Sequence, residues 1–153
     1  MNFEADKVKG LLNLMSMPLN STKNNIKLEF NKRYLARVND VKLGKNEFGY
    51  PVITVIFDVR LDNNITGNIT VKYSLSETTR YKKLNELKTL ITALSISAET
   101  LCKNSKTDED IILNTVVAIR ENINKNIILV KEGKQSYYSY RAYPYEGNVK
   151  NEQ

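Results

Sequence analysis

The most distinctive chemical groups of this chain are lysine, arginine and tyrosine side chains that fall close together in three segments. Cations pair with phosphate groups and aromatic rings stack on flat heterocycles, so this mixture can hold an anionic polymer that carries aromatic bases. The candidate residues are Lys42, Lys45, Phe48 and Tyr50 in the first segment, Arg60 and Lys72 in the second, and Tyr137, Tyr138, Tyr140 and Arg141 in the third. Lys125, in a loop predicted between the fourth and fifth strands, completes this set.

The aromatic residues of this set also have a purely structural alternative. Tyrosines that alternate along a strand place half of their rings inside, so Tyr138 and Tyr140 would fill a core while Tyr137 and Arg141 face water. Phe48 would similarly close the mouth of a barrel.

The chain offers little for catalysis. It has no histidine and a single cysteine, Cys102, which removes the common nucleophile–base pairs and the usual zinc clusters. Its six glycines form no phosphate-binding loop. The acidic run 108–110 is interpreted as a solvated turn or a helix N-terminus, because adjacent acids do not converge on one point. The sequence therefore predicts no enzyme activity, no catalytic residue, no metal site and no cofactor.

Net charge points in the same direction as the candidate residues. Lysine and arginine total 23 against 17 aspartates and glutamates, which gives a net charge of +6 over 153 residues. A basic surface favours polyanions, of which nucleic acid is the commonest. The alternatives are a requirement for solubility or an AT-rich genome, since Lys, Asn and Ile are frequent in this chain.

Length and composition bound the class of protein. With 41% hydrophobic and 26% charged residues, the chain is typical of one soluble domain with short terminal extensions. No apolar run approaches the roughly 20 residues of a membrane span, and Met1–Asp6 lacks the features of a secretory signal. One cysteine cannot form an internal disulfide, so we expect a reducing, cytoplasmic setting and no membrane partner.

Hydrophobic periodicity divides the chain into strands and helices. Alternation of β-branched residues is clearest over Val52–Arg60, where Ile53, Val55 and Phe57 share one face, and over Ile69–Leu75. The full set comprises strands at 33–41, 52–60, 69–75, 115–120 and 127–131, a last strand within 135–142, a short strand at 26–30, a helix at 81–94 and an N-terminal helix within 6–19.

This order predicts a mainly β fold, a five-stranded OB-type Greek-key barrel with one helix between strands three and four, plus a short N-terminal helix. The predicted domains are an N-terminal extension at 1–25, a barrel domain at 26–145 and a polar tail at 146–153. In such a barrel the face of strands two and three and the adjoining loops form the binding groove, and the candidate residues would lie there.

The helix predicted at 81–94 has one buried stripe. Its apolar residues recur every three or four positions and include Leu84, Leu87 and Leu90. Four polar residues are assigned to the outer face of this helix: Lys82, Lys83, Glu86 and Lys88.

Short motifs also resemble a known family. Tyr34, Ala36 and Val38 open the first strand, and a lysine- and glycine-containing loop leads into an apolar strand. Leu75–Ser76 precedes a leucine-rich helix, and an aliphatic strand and a final proline close the domain at Val116–Ile119 and Pro144. Over 33–143 this outline resembles a phage- and mobile-element-borne family of small OB-like proteins that are regarded as single-stranded DNA-binding proteins.

The resemblance and the residues together lead to one main functional hypothesis. The protein is expected to be a non-catalytic single-stranded DNA-binding protein that supports replication or recombination of a phage or plasmid, with replication or recombination proteins as further partners. The first alternative is a protein-interaction module or an inhibitor that a mobile element directs against a host protein. The second is a carboxylate-dependent enzyme such as a nuclease. The sequence does not predict the oligomeric state.

Overall fold

The computed structural model describes residues 22–23, 26–61, 65–76 and 80–146. The predicted N-terminal helix and most of the predicted extension at 1–25 lie outside these ranges, as does most of the polar tail. The strands are β1 (Thr22–Lys23), β2 (Arg33–Lys45), β3 (Pro51–Arg60), β4 (Thr66–Ser74), β5 (Ile127–Lys134) and β6 (Tyr137–Pro144). The helices are α1 (Arg80–Ala93), α2 (Ala98–Cys102) and α3 (Asp108–Arg120).

The strands form one open sheet in the order β1-β4-β3-β2-β5-β6. The five strands from β2 to β6 pair antiparallel, and β1 adds a short parallel pair to β4 at Thr66 and Gly67. β2 is long because its first residues pair with β5 and its later residues pair with β3, with an irregularity between Val38 and Asp40. The prediction of a mainly β fold is therefore confirmed.

The core lies on one face of β3 and β4, as their period-two pattern predicts. Ile53, Val55, Phe57 and Val59 of β3 are fully buried, and Tyr73 of β4 joins them. The intervening residues of both strands are half-buried or exposed on the opposite face of the sheet, which we call the outer face. The side chains at 54, 60, 70 and 72 share this outer face, as the sequence predicts.

α1 covers the core with Leu87, Leu90 and Leu94, the last of which follows the helix end. The prediction for Glu86 is wrong, because its side chain is only 1% exposed. Leu84, assigned to the buried stripe, is 37% exposed. Compared with the prediction, the buried face of the helix is shifted away from Leu84 and includes Glu86. The Glu86 carboxylate accepts a hydrogen bond from the backbone of β6.

The predicted fourth strand at 115–120 is instead the second half of α3. In the described ranges, three helices, where one was predicted, lie between β4 and β5. The β-branched residues of α3 gave the strand pattern, but they also fit a helix, since Thr115, Val116 and Ile119 are buried together. A capping box starts the helix: Thr107 accepts from the Asp110 N–H, and Asp110 accepts in return from Thr107. The acidic run at 108–110 is therefore a helix N-terminus.

Smaller differences concern element ends. Ile26–Phe30, predicted as a short strand, does not form one: Phe30 makes an isolated bridge to Lys131, the Ile26 N–H donates to the Asn68 carbonyl, and Leu28 is buried in the core. The first predicted strand extends further than expected, to Lys45, which places Lys42 and Lys45 in β2 rather than in a loop. The last predicted strand is shifted to Tyr137–Pro144. Among the described ranges, no helix is long and apolar enough to cross a membrane.

Candidate nucleic-acid interface

β4 and β6 are the two outermost strands of the antiparallel part of the sheet, β2–β6. They do not pair with each other; α1 lies between them and joins them. The N–H of Tyr140 donates to Glu86 Oε1 at 2.9 Å, and the N–H of Ala142 donates to Thr89 Oγ1 at 3.0 Å. These two side chains satisfy backbone donors that a neighbouring strand satisfies in a closed barrel. We call this junction the seam.

A cavity of about 310 Å³ opens at the seam, between β4, α1 and the β5–β6 hairpin. We call it the seam cleft. Three lysines and three tyrosines from these three elements meet there. The lining residues are Thr70, Val71, Lys72, Lys82, Lys83, Glu86, Ser136, Tyr137, Tyr138 and Tyr140.

Tyr137 offers the most accessible ring of the cleft, with 68% of the residue exposed. The Lys82 ammonium lies 4.1 Å from its ring centroid and donates a hydrogen bond to the Tyr138 carbonyl at 3.2 Å. The hairpin that carries these rings depends on Gly133, whose φ is +126° and where any side chain would collide with the Tyr137 carbonyl. The ring is thus held by a cation and still exposes surface on which a base can stack.

A buried lysine organises the other rings. Lys131 lies on the inward face of β5, with its ammonium 4.6 Å from the Phe30 ring centroid and 4.4 Å from that of Tyr138. Tyr138 in turn makes edge-to-face contacts with Phe30 and Tyr140, at 5.7 and 5.6 Å between centroids. The aromatic wall of the cleft is therefore built around a positive charge.

The floor of the cleft carries a buried carboxylate. Glu86 Oε1 accepts from Tyr140, and Oε2 lies 3.2 Å from the Lys83 ammonium without an aligned hydrogen bond. Burial, with the nearby Glu86 charge, raises the pKa of Tyr73 far above its ordinary value. Burial also raises the pKa of Tyr140, with further contributions from Tyr138 and Glu86. Both tyrosines are therefore neutral at physiological pH.

The outer face continues from the cleft across three strands. Lys42 of β2, Thr54 of β3 and Lys72 of β4 stand side by side in register, so their two lysines are about 10 Å apart at the backbone. Arg60 lies about 20 Å further along β3. Around Arg60 a second cavity of about 450 Å³ is lined by Arg37, Asp58, Thr66 and Asn68, among others.

The β2–β3 hairpin stands beyond the Lys42–Lys72 row. Asn46 Oδ1 accepts from the N–H groups of Phe48 and Tyr50, at 2.9 and 3.0 Å, and Gly49 supplies the positive φ of the turn. This arrangement leaves Phe48 76% exposed and Tyr50 half-buried, with Lys45 exposed at the end of β2. Phe48 therefore does not close a barrel mouth.

Two predicted residues are not brought to this surface. The Lys125 ammonium donates to the Leu94 carbonyl at 2.8 Å, where it satisfies the end of α1. Arg141 lies on the β5–β6 hairpin outside the seam cleft, 3.5 Å from Glu132, which also accepts from the Tyr143 hydroxyl. A third cavity lies there, with Arg33 in its lining.

The sequence interpretation missed three residues that line the cleft, Lys82, Lys83 and Glu86, and also Lys131, which lies buried behind its aromatic wall. The parity of β5 was a usable signal for Lys131, because Ile127 and Leu129 point inward and Lys131 must follow them. No comparable signal marked Glu86, since its burial depends on where β6 lies relative to α1.

Comparison with models of known protein families found none that matches this chain, and comparison with characterised proteins found no significant match. The function must therefore be inferred from the side chains and their geometry.

Proposed function

We propose that this protein binds single-stranded DNA, without catalysing a reaction, in support of replication or recombination of a phage or plasmid. The observation that carries this proposal is the seam cleft, where Lys72, Lys82 and Lys83 surround the rings of Tyr137, Tyr138 and Tyr140. Proteins that bind single-stranded nucleic acid combine cations along its phosphate backbone with aromatic rings that stack on its bases.

The accessible rings favour a single strand over a duplex. Tyr137 exposes its ring at the mouth of the cleft, and Phe48 exposes its own on the β2–β3 hairpin. A base can stack on such a ring only when its own face is free, whereas bases in a duplex are already stacked on each other. Lys42, Lys72 and Arg60 on the outer face would contact phosphates between these rings.

The strand order supports an OB-type arrangement of the Greek-key class. β2, β3 and β4 follow one another through short connections, and β5 returns after a long helical connection to pair with the first half of β2. This fourth-first-second-third order supports the proposal of a Greek-key connection. We infer that the fold is a partly open OB-type barrel in which α1 fills the seam, with its binding groove on β3 and β4.

The proposal is tested by fluorescence anisotropy of a labelled oligo-dT with the full chain. We expect binding with little sequence preference overall, tighter than to a duplex of equal length. Each phosphate contact should contribute a slope of about −0.7 to the dependence of log affinity on log salt concentration. A chain that is folded but does not bind oligo-dT at low salt would contradict the proposal.

A protein-interaction role is the second candidate, and one observation favours it. Leu113 and Val117 of α3 are 55% and 48% exposed on a face away from the buried residues of that helix. Exposed apolar side chains of this kind mark protein contacts when they form a patch. Leu113→Ser removes an exposed apolar side chain and should leave the fold intact. If the chain does not bind DNA, this face of α3 is the candidate site of protein contact.

A further inference from the structure

The seam cleft holds a buried carboxylate oxygen, Glu86 Oε2, that has an ion-pair partner but no aligned hydrogen bond. Glu86 is 1% exposed and its Oε2 atom has no hydrogen-bond partner, although the Lys83 ammonium lies 3.2 Å away. Buried polar atoms without hydrogen bonds are rare because their desolvation is costly. A ligand that brings an N–H donor to the floor of the cleft would satisfy this oxygen.

The neighbouring groups define the shape and polarity of such a ligand. Tyr137 and Tyr138 provide aromatic walls, and the cavity of about 310 Å³ is of the size that small flat ligands occupy. The Lys83 ammonium stands directly beside the carboxylate oxygen. A complementary ligand is therefore a planar heterocycle with an acceptor next to one or more donors.

We propose that the seam cleft is a guanine-selective subsite within the single-stranded DNA interface, an inference that rests on the proposed function. The Watson–Crick edge of guanine carries the O6 acceptor and, directly beside it, the N1–H and N2–H donors. The two donors match the carboxylate of Glu86, whose Oε2 has no aligned hydrogen bond and whose Oε1 accepts only from the Tyr140 N–H among the described residues. The O6 acceptor matches the ammonium of Lys83.

The other three bases fit this pair of groups less well. Adenine and cytosine each offer one amino donor next to a ring nitrogen whose lone pair would face the carboxylate. Thymine offers one N–H between two carbonyl oxygens, both of which a carboxylate repels. A buried carboxylate oxygen that is left without a hydrogen bond is the penalty that makes such sites selective.

The experiment compares oligo-dT with the same oligonucleotide that carries one central guanine, adenine, cytosine or inosine, using the unmodified chain at constant salt. Inosine retains O6 and N1–H but lacks the amino donor. We expect guanine to tighten binding about tenfold over thymine and inosine to lose part of that gain. Equal affinity for all five oligonucleotides would overturn the guanine subsite and leave the proposed function standing.

A variant locates the preference. Glu86→Gln retains an oxygen that can accept from Tyr140 but loses the carboxylate, so the ratio of the affinities for the guanine and thymine oligonucleotides should fall to about one. Lys88→Gln, on the exposed side of the same helix, should leave this ratio unchanged. A folded Glu86→Gln protein that still prefers guanine would overturn the assignment. The comparison of guanine with inosine on the unmodified chain stands even if this variant does not fold. If no oligonucleotide binds, the proposed function and this inference both fail.

Discussion

A single buried lysine shows how individual residues shape the cleft. Lys131 has Phe30 and Tyr138 as its closest aromatic neighbours, and a desolvated cation over aromatic rings gains about 2 kcal/mol or more. That attraction offsets part of the cost of removing the ammonium from water, which is several kcal/mol for a buried ion. The charge also fixes the orientation of Tyr138, so the ring is pre-arranged for the stacking that we propose.

Buried Tyr73 gives a prediction about pH at the same scale. Its pKa is raised in the folded protein above the ordinary value of 10.0, chiefly by burial and then by the charge of Glu86. The unfolded chain therefore loses its proton first, so the stabilising contribution is complete below pH 10.0 and is lost as pH rises above that value.

We expect the free energy of unfolding to fall steeply above pH 10.0 in urea titrations followed by circular dichroism. Tyr73→Phe should flatten this fall, because phenylalanine has no proton to lose. Tyr137→Phe, at an exposed ring, should leave it unchanged. An alkaline dependence that is the same in all three proteins would show that Tyr73 does not control it.

At the scale of elements, α1 stabilises the fold by covering the core and by closing the seam. Leu87 is 3% exposed and Leu84 is 37% exposed on the same helix, which makes them a matched pair. We expect Leu87→Asp to unfold the protein, since an unpaired buried carboxylate costs several kcal/mol, whereas Leu84→Asp should remain folded. Thermal melts followed by circular dichroism measure both. Equal melting temperatures would mean that α1 is not packed on the sheet.

The elements also show which parts of the fold were predictable. β3 and β4 follow from strict alternation, because one face of each strand is buried and period two has no competing interpretation there. The segment 115–120 was predicted as a strand because it is rich in β-branched residues. The capping box at the start of α3, which indicates a helix, was not considered. Here the signal at Thr107 and Asp110 was present in the sequence.

The candidate site was predictable only in part, for a related reason. Lys72 and the tyrosines of β6 were identified as individual candidates, but nothing local relates residue 72 to residue 137. Their meeting depends on α1 filling the seam, a tertiary arrangement that period and propensity do not encode. The predicted position of Lys125 was wrong for the same reason. It was placed in a loop between two strands, but it follows a helix and donates to the Leu94 carbonyl at the end of α1.

At the scale of the whole molecule, the net charge of +6 matters less than its distribution. Lys42, Lys72 and Arg60 share the outer face, and Lys82 and Lys83 extend it into the seam cleft. If these residues form one track, binding should depend on their positions and not on total charge. This distinguishes a defined interface from diffuse attraction.

The test compares three single substitutions at matched salt, with folding confirmed for each. Tyr137→Ala should weaken binding of oligo-dT by about 1–3 kcal/mol through loss of a stacked ring. Lys72→Ala should mainly reduce the salt slope. Lys88→Ala, an exposed lysine on α1, removes the same charge and should have little effect. If Lys88→Ala weakens binding as much as Lys72→Ala, the track is wrong.

The seam has one more consequence, which concerns self-association. In the part of the chain that the structure describes, β4 has no strand partner beyond Gly67 on the side away from β3. An exposed strand edge is a template on which a second copy can add, and lysines along such an edge are a common defence against aggregation. Lys72, Lys82 and Lys83 lie along it. The cations that we assign to a ligand would thus also disfavour the addition of a second copy to the part of the β4 edge that α1 and Ile26 leave uncovered.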